Sequence, residues 1–500
     1  MNRILYLFLL LGFTGLHAQQ QINRCGTPAS DEMIDRLIEN KRNLHSYSAA
    51  DRNVDYIPVV YHLIADQQGN GRASMDNILD MHCMLNEDFA DAGLQFYVQE
   101  YKETNNNAIY NGAYNQNTAS GIMQVKKEDG AVNIWVTNSA NDPSSGQGTT
   151  LAFYHPFYDW IVINKSYASG NDNTISHEMG HFFSLPHPFL GWENCDTPGN
   201  NQTAPSQTCN NNLVELQNGS NCETAGDMIC DTAPDYNFGF GASGCEFTQT
   251  VYDPNGDVVD PDELLHMGYF LNCSLEDYYF TNDQQGIMVA DFNSPFRAYL
   301  QSNFTPTIIS SAPVLLSPAD DQQDLPFNAV QLEWESVSGA NTYLLEIDPV
   351  ANLNSFFLQQ FIVSGNSKVL TTLDANKTYH WRVRPMNSYQ TCTDLQSETF
   401  SFRTNSTTAN NNIEELNEWN VRPNPVSPGA DLIVDIEAAT GFSGLVKLTD
   451  ITGREVLSRE LRVQTGQQQL SLTTDQLQTG LYLVTLQTDD AVMTRRVVVR

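Results

Sequence analysis

His177, Glu178 and His181 are the residues of this chain best spaced for chemistry. On an α-helix, positions i and i+4 lie on one face a turn apart, so both imidazoles can reach one metal ion at roughly 2.0–2.1 Å. Glu178 is placed to take a proton from a water polarised by that metal as it attacks a carbonyl, and then to hand the proton to a leaving amine. A catalytic zinc takes three protein ligands and keeps one position open. His187 is the natural third ligand, because Pro186 prevents the helix from continuing and lets the chain turn back. An acid farther along, Glu193 or Glu215, is the rival for that place. A structural histidine pair on a core helix would use the same letters without a metal.

These residues need elements to hold them. A helix starting at Asn173 or Thr174 and running to Phe183 carries the motif. Ile57–Ile64, Leu94–Val98, Val132–Val136 and Trp160–Ile163 read as strands, and Ser74 is placed to cap a helix running to about Ala92. A shorter helical pattern lies around Met33 to Leu44. Strands and helices interleave, so the unit is a mixed α/β domain. From Asn194 to Asp262 the chain is rich in Asn, Gly, Pro, Asp and Cys, with little regular structure expected.

Six of the nine cysteines fall in or near that stretch: Cys195, Cys209, Cys222, Cys230, Cys245 and Cys273. They suit up to three disulfides, with fifteen pairings open. An odd total leaves at least one thiol unpaired. Oxidising surroundings fit the start of the chain, where Arg3, an apolar run from Ile4 to Leu16 and the small Ala18 make residues 1–18 a secretory signal peptide. No other stretch reaches the ~20 apolar residues of a membrane span.

After about Pro306 the texture changes. Residues 311–404 alternate in short runs (Val330–Trp334, Thr342–Ile347, Thr378–Val383 and Thr399–Phe402), as in an all-β sandwich. Residues 405–417 are a polar linker, and residues 418–500 form a second β unit. The chain is therefore read as multidomain: an α/β (α+β) catalytic domain followed by two all-β sandwiches. Acids outnumber bases 59 to 25 among 500 residues, a formal charge of −34. Such a surface cannot neutralise phosphates, which argues against nucleic-acid or anionic-lipid partners and favours basic ones. Residues 418–500 hold ten acids and eight bases, so nearly all of the charge lies before them.

The run from His177 to His187 resembles the zinc-binding segment of the metzincin clan of metallopeptidases. That pattern has Gly where this chain has Ser184, at a left-handed turn where Ser costs about 1 kcal/mol. Leu265-His266-Met267-Gly268-Tyr269 resembles the clan's Met-turn. Met267 would then floor the zinc site, and the Tyr269 hydroxyl would stabilise the oxyanion. His187-Pro188-Phe189 with Gly191 and Cys195, and Gly226-Asp227-Met228-Ile229-Cys230-Asp231-Thr232-Ala233-Pro234, are similar to segments of the pappalysins. By that resemblance Asp227 and Asp231 can supply oxygens to a structural calcium, a solvated acidic turn being the plain alternative. The resemblance also makes Cys245 and Cys273 the first pair to expect. Members that cleave before basic residues carry an acid just ahead of that last cysteine; Asn272 stands there, which puts a basic preference in doubt.

Arg24-Cys25-Gly26 resembles the pro-segment motif of bacterial pappalysins. It implies a cysteine switch, in which the Cys25 thiolate is the fourth zinc ligand until the pro-segment, residues 19–52, is cut at Arg42 or Arg52. A disulfide at Cys25 is the alternative. Residues 53–305 would be the catalytic domain. Residues 311–404 resemble a fibronectin type III domain, with Tyr379 suited to a tyrosine corner. Residues 420–500 resemble the type A sorting domain of the type IX secretion system, on Pro423-Asn424-Pro425, Asp450-Ile451-Thr452-Gly453-Arg454, Leu477-Gln478-Thr479-Gly480-Leu481-Tyr482 and the basic end Arg495 to Arg500. Together these imply a secreted or cell-surface zinc endopeptidase, a monomer made latent, acting on proteins or peptides and exported by the type IX machinery. A surface-binding adhesive protein with a vestigial peptidase domain is the second expectation.

Overall fold

The computed structural model describes residues 22–27, 30–43, 54–113, 117–141, 149–240, 244–271, 273–406, 413, 415–450, 455–475, 477–488 and 491–500. The signal peptide, Arg52, Asn272, most of the linker and Ile451 to Arg454 lie outside them. Two compact units divide the chain after Thr305.

The first unit is built on a six-stranded sheet. Its strands are β1 (Ile22–Cys25), β2 (Asp55–Ala65), β3 (Leu94–Asn105), β4 (Val132–Thr137), β5 (Thr149–His155) and β6 (Trp160–Asn164), in the order β1-β5-β6-β4-β2-β3. All pairings are parallel except β5 with β6. Strand period places alternate side chains on opposite faces. On β2, Ile57, Val59, Tyr61 and Leu63 enter the main core. That core includes α2 (Met75–Asp88), through Ile78, Met81 and Leu85, and α5 (Thr174–Phe182), through Ile175, Met179 and Phe182. On the other face Ile64, Trp135, Phe153 and Trp160 pack with α3 (Asn107–Gly112) and α4 (Asn117–Lys126). Ser74 sits at the start of α2, but no side-chain capping bond forms there.

Two more helices complete the unit; like α3 and α4, the second of them was absent from the sequence reading. α1 (Asp31–Arg42) is capped by Ser30 and buries Met33, Leu37 and Asn40. α6 (Asn282–Phe292) starts at a capping box in which Thr281 and Gln284 satisfy each other's exposed backbone donors. Among the described residues between α5 and α6, regular structure is limited to short pieces, including the two-residue strands Gln202–Thr203, Val251–Tyr252 and Val258–Val259. Disulfides Cys195–Cys209, Cys222–Cys230 and Cys245–Cys273 tie this stretch together. A satellite core of Phe189, Trp192, Val214, Tyr236, Val251 and Tyr269 fills it.

In the second unit, a three-stranded and a five-stranded sheet share a core of Trp334, Leu345, Trp381, Val383 and Phe402. The Asp374 backbone N–H donates to the Tyr379 hydroxyl at 2.8 Å, pinning the strand corner. Farther on, a three-stranded and a four-stranded sheet run from Leu416 to Val499. There Asn424 clamps the last strand: its Nδ2 donates to the Arg496 carbonyl at 2.7 Å, and its Oδ1 accepts from the Val498 N–H at 2.9 Å. Among the described residues no helix is long and apolar enough to cross a membrane.

One buried cation braces the first unit. Arg297 is fully buried, with Nε donating to Asp291 Oδ2 at 2.9 Å and Nη1 to Asp159 Oδ1 at 2.6 Å. It also donates to the carbonyl of Phe182, the last residue of α5, and lies 3.6 Å from the centroid of the Phe182 ring. Removing one member of such a network leaves uncompensated buried charge, a loss of about 3–5 kcal/mol. Arg297→Leu should therefore lower the unfolding free energy by about that amount in urea titration; a loss under about 1 kcal/mol would remove Arg297 from this role.

Candidate metal centre

α5 presents His177, Glu178 and His181, all fully buried. The helix then ends in a tight reversal. The Ser184 N–H donates to the His181 carbonyl at 3.0 Å, and the Leu185 N–H to the Gly180 carbonyl at 3.0 Å. These are the two bonds of a Schellman motif, which needs a left-handed residue at the position of Ser184. Ser184 has φ 66°, and its Oγ accepts from Asn40 Nδ2 at 2.9 Å, a bond that offsets part of the strain glycine would avoid. The reversal carries His187 back to the helix.

His177, His181, His187 and Cys25 offer ligand atoms all within 4.8 Å of one another. The rival acids take other places. Glu193 Oε1 lies 3.7 Å from His187 Nδ1, behind the ring. Glu215 faces Gly226, whose hydrogen leaves just enough room for its carboxylate.

Zinc fits this donor set. His177 Nδ1 meets the His266 carbonyl at 2.7 Å, and His181 Nδ1 meets the Leu185 carbonyl at 2.7 Å. A carbonyl only accepts, so each Nδ1 carries the proton and each Nε2 presents a lone pair. His181 Nε2 lies 3.1 Å from His187 Nε2. That separation brings both nitrogens within reach of one ion, and a cation between the rings would take the lone pair of each. Burial and the neighbouring His187 push His181 well below the ordinary imidazole range, keeping it in the neutral form that binds metal. Three nitrogens and one thiol are a zinc-type set.

Cys25 closes the fourth side. β1 adds to the β5 edge, and the Gly26 N–H continues the pairing by donating to the Ala152 carbonyl at 2.9 Å. Cys25 is a free, buried thiol. Burial and the nearby Glu178 carboxylate raise its pKa well above the ordinary value, while bonds from Thr27 pull the other way. Thr27 also reaches Glu178 directly: its hydroxyl donates to Oε2 at 2.8 Å, and the Tyr154 N–H donates to the same oxygen at 2.9 Å. The sequence reading missed Thr27, although it follows Cys25-Gly26 immediately.

The Tyr269 hydroxyl donates to the Cys25 carbonyl at 3.3 Å, and its ring lies 5.0 Å from that of His187. Met267 is fully buried beneath α5, where a side chain on Gly180 would collide with its sulfur. Asp227 Oδ1 accepts from the Ile229 N–H at 2.8 Å and the Thr232 hydroxyl at 3.0 Å. Burial raises its pKa, and that of Glu215 is raised by burial and then by Asp227. Asp231 stands apart in role: its two oxygens accept from the Thr281 hydroxyl and the Asp283 N–H at the start of α6. Arg42 ends α1 on the exposed surface.

Comparison with known proteins adds three findings. Residues 420–500 match the secretion system C-terminal sorting domain. The chain thus carries a type IX secretion address for the cell surface or extracellular space. It is 24% identical over 254 residues, 47% of this chain and 76% of the relative, to an "Extracellular metalloprotease" of Colletotrichum graminicola. Among solved structures it overlaps the chicken CNTN1 FN1-FN3 domains (12% identity, 39% of this chain and 69% of that one, TM-score 0.16). It also overlaps the fn3 domain of human collagen alpha-1(XX) chain (18% identity, 22% of this chain and 98% of that one, TM-score 0.16).

Proposed function

We propose that this chain is a secreted zinc-dependent endopeptidase of the pappalysin type, made in a latent form. The observation that carries the reading is the buried convergence of His177 and His181, which share a helix with Glu178, and His187, which the turn after that helix brings back to them. The likeness to an extracellular metalloprotease supports it. In this reading residues 53–305 are the catalytic domain, 311–404 a fibronectin type III-like module and 418–500 the sorting domain.

The three histidines would hold the zinc, which supplies Lewis acidity when bound, polarising a substrate carbonyl and acidifying a water. Glu178 takes the proton of the attacking water and delivers it to the amine as the peptide bond breaks. The Tyr154 N–H, already bonded to Glu178 Oε2, fixes that carboxylate. Tyr269 donates its hydroxyl to the oxyanion; in the latent form it donates to a backbone carbonyl, that of Cys25. With β1 gone, the β5 edge offers unpaired backbone groups to an extended polypeptide, which suits cleavage within chains.

Latency has two grips. Cys25 would take the fourth metal position, and Thr27 holds the general base. α1 adds an anchor on the zinc-binding turn through Asn40 and Ser184, and a cut at Arg42 or Arg52 would free the segment. Farther off, Glu215 and Asp227 are two buried acids, Glu215 raised by burial and Asp227, and Asp227 by burial with Asp231 adding to it; they would be a place for a structural calcium.

Three outcomes test this. The activated protein should hydrolyse casein, lose activity to a zinc chelator and regain it with zinc, and Glu178→Ala should be slower by roughly 10²–10⁴-fold. Casein left equally untouched by all forms would sink the enzyme and leave the adhesive reading. Cys25→Ala should speed self-activation. Thr27→Val should do so about tenfold, the equivalent of one charge-assisted hydrogen bond; unchanged rates would remove both from latency. For calcium, the sign follows from the raised carboxyls. Without a cation, their contribution to stability is full in the acid range and is lost as pH rises toward neutrality and beyond. Calcium should therefore raise Tm little at about pH 4 and progressively more up to about pH 9, and Glu215→Gln should erase that rise. A calcium response equal in both proteins would place the ion elsewhere.

A further inference from the structure

Asp88 ends α2, outside the motif and far from it in sequence. An acid at a helix C-terminus faces the negative end of the helix dipole, a position that normally disfavours it. This one is also largely buried, with its side chain 11% exposed. Something must hold it there. Its Oδ2 accepts from the hydroxyl of Ser176, the residue just before His177 on α5. Its Oδ1 lies 3.7 Å from His266 Nε2. Ser176 and His266 are both fully buried. The His266 ring is held between Tyr278, with centroids 5.7 Å apart, and Phe280, at 4.5 Å. The backbone carbonyl of that same His266 faces His177 Nδ1 at 2.7 Å.

One carboxylate therefore joins the two segments that fix His177: the helix that carries the ring and the loop whose carbonyl sets its tautomer. We infer that Asp88 is a positioning residue for the metal site, locking the register between the first turn of α5 and the Leu265–Tyr269 loop so that His177 Nε2 faces the metal. The inference rests on the peptidase reading and names a residue of this chain that acts on the site without touching it. Partners that orient a metal-bound histidine typically change metal affinity 10–100-fold when lost.

The full-length chain tests this by zinc competition against a chromophoric chelator, with cobalt absorption as the second readout. Asp88→Ala should weaken zinc binding about 10–100-fold and shift the cobalt bands. Asp88→Asn keeps an acceptor for Ser176 and should stay within about threefold of the parent. Ser176→Ala, which deletes one hydroxyl and serves if Asp88→Ala fails to fold, should weaken zinc binding by several-fold and move the same bands. Zinc affinity within about threefold of the parent, with an unmoved cobalt spectrum, in Asp88→Ala or in its substitute Ser176→Ala, overturns the role of Asp88 alone. A parent chain that binds no zinc overturns the peptidase reading, and this inference with it.

Discussion

The reversal of the chain at Ser184 is the constraint on which the rest of the first unit depends. Three imidazoles must meet in a site with no water to spare, and only two of them share a helix. The third arrives because the helix stops within three residues of His181, in a motif that forces a left-handed residue. The same reversal turns the Leu185 carbonyl toward His181 Nδ1, so one backbone feature ends the helix, delivers His187 and sets a tautomer. Arg297 secures it from the opposite side by binding the Phe182 carbonyl, which the end of the helix would leave without a partner.

That arrangement was partly legible. The i, i+4 spacing of His177 and His181 with Glu178 needs no structure to interpret, since helix geometry alone puts both rings on one face. β2, β4 and β6 are apolar runs whose burial is nearly continuous, and they stand out for that reason. β1 was not legible. It holds four residues, Ile22–Cys25, with no period to find, and it is a strand because β5 lends it an edge. α6 mixes Gln284 and Asp291 with apolar residues and buries both, so polarity pointed outward where packing points inward. Its capping box, Thr281 with Gln284, was a signal that went unread. Asp88 gave none: its meaning is a meeting of α2, α5 and a distant loop, and such meetings are made by tertiary packing.

Ser184 shows how a departure from a pattern is absorbed. A hydroxyl where glycine would be easier costs backbone energy, and here the oxygen finds a donor in Asn40, a residue of α1. Asn40 also donates to Asp291, the partner of Arg297, so α1 and the buried cation both bear on the same turn. The turn that shapes the metal site is thus tied, by hydrogen bonds, to the helix that would depart on activation. In the proposed zymogen the residue that breaks the glycine pattern gains a partner that the mature form lacks.

The same economy explains why latency would need more than a thiol. A buried carboxylate is costly unless donors surround it, and Glu178 has no exposure to water in this state. Covering the metal with Cys25 alone would shut out the water that otherwise solvates Glu178, leaving the base with the Tyr154 N–H as a donor and too little else. Thr27 supplies the missing donor at 2.8 Å, two residues after the thiol, and the Tyr154 N–H supplies another. A segment that blocks a metal-dependent peptidase must satisfy both of its reactive groups, the cation and the base. In this reading the three residues Cys25, Gly26 and Thr27 do so by laying an extended strand along β5, where spacing puts Cys25 and Thr27 on one face.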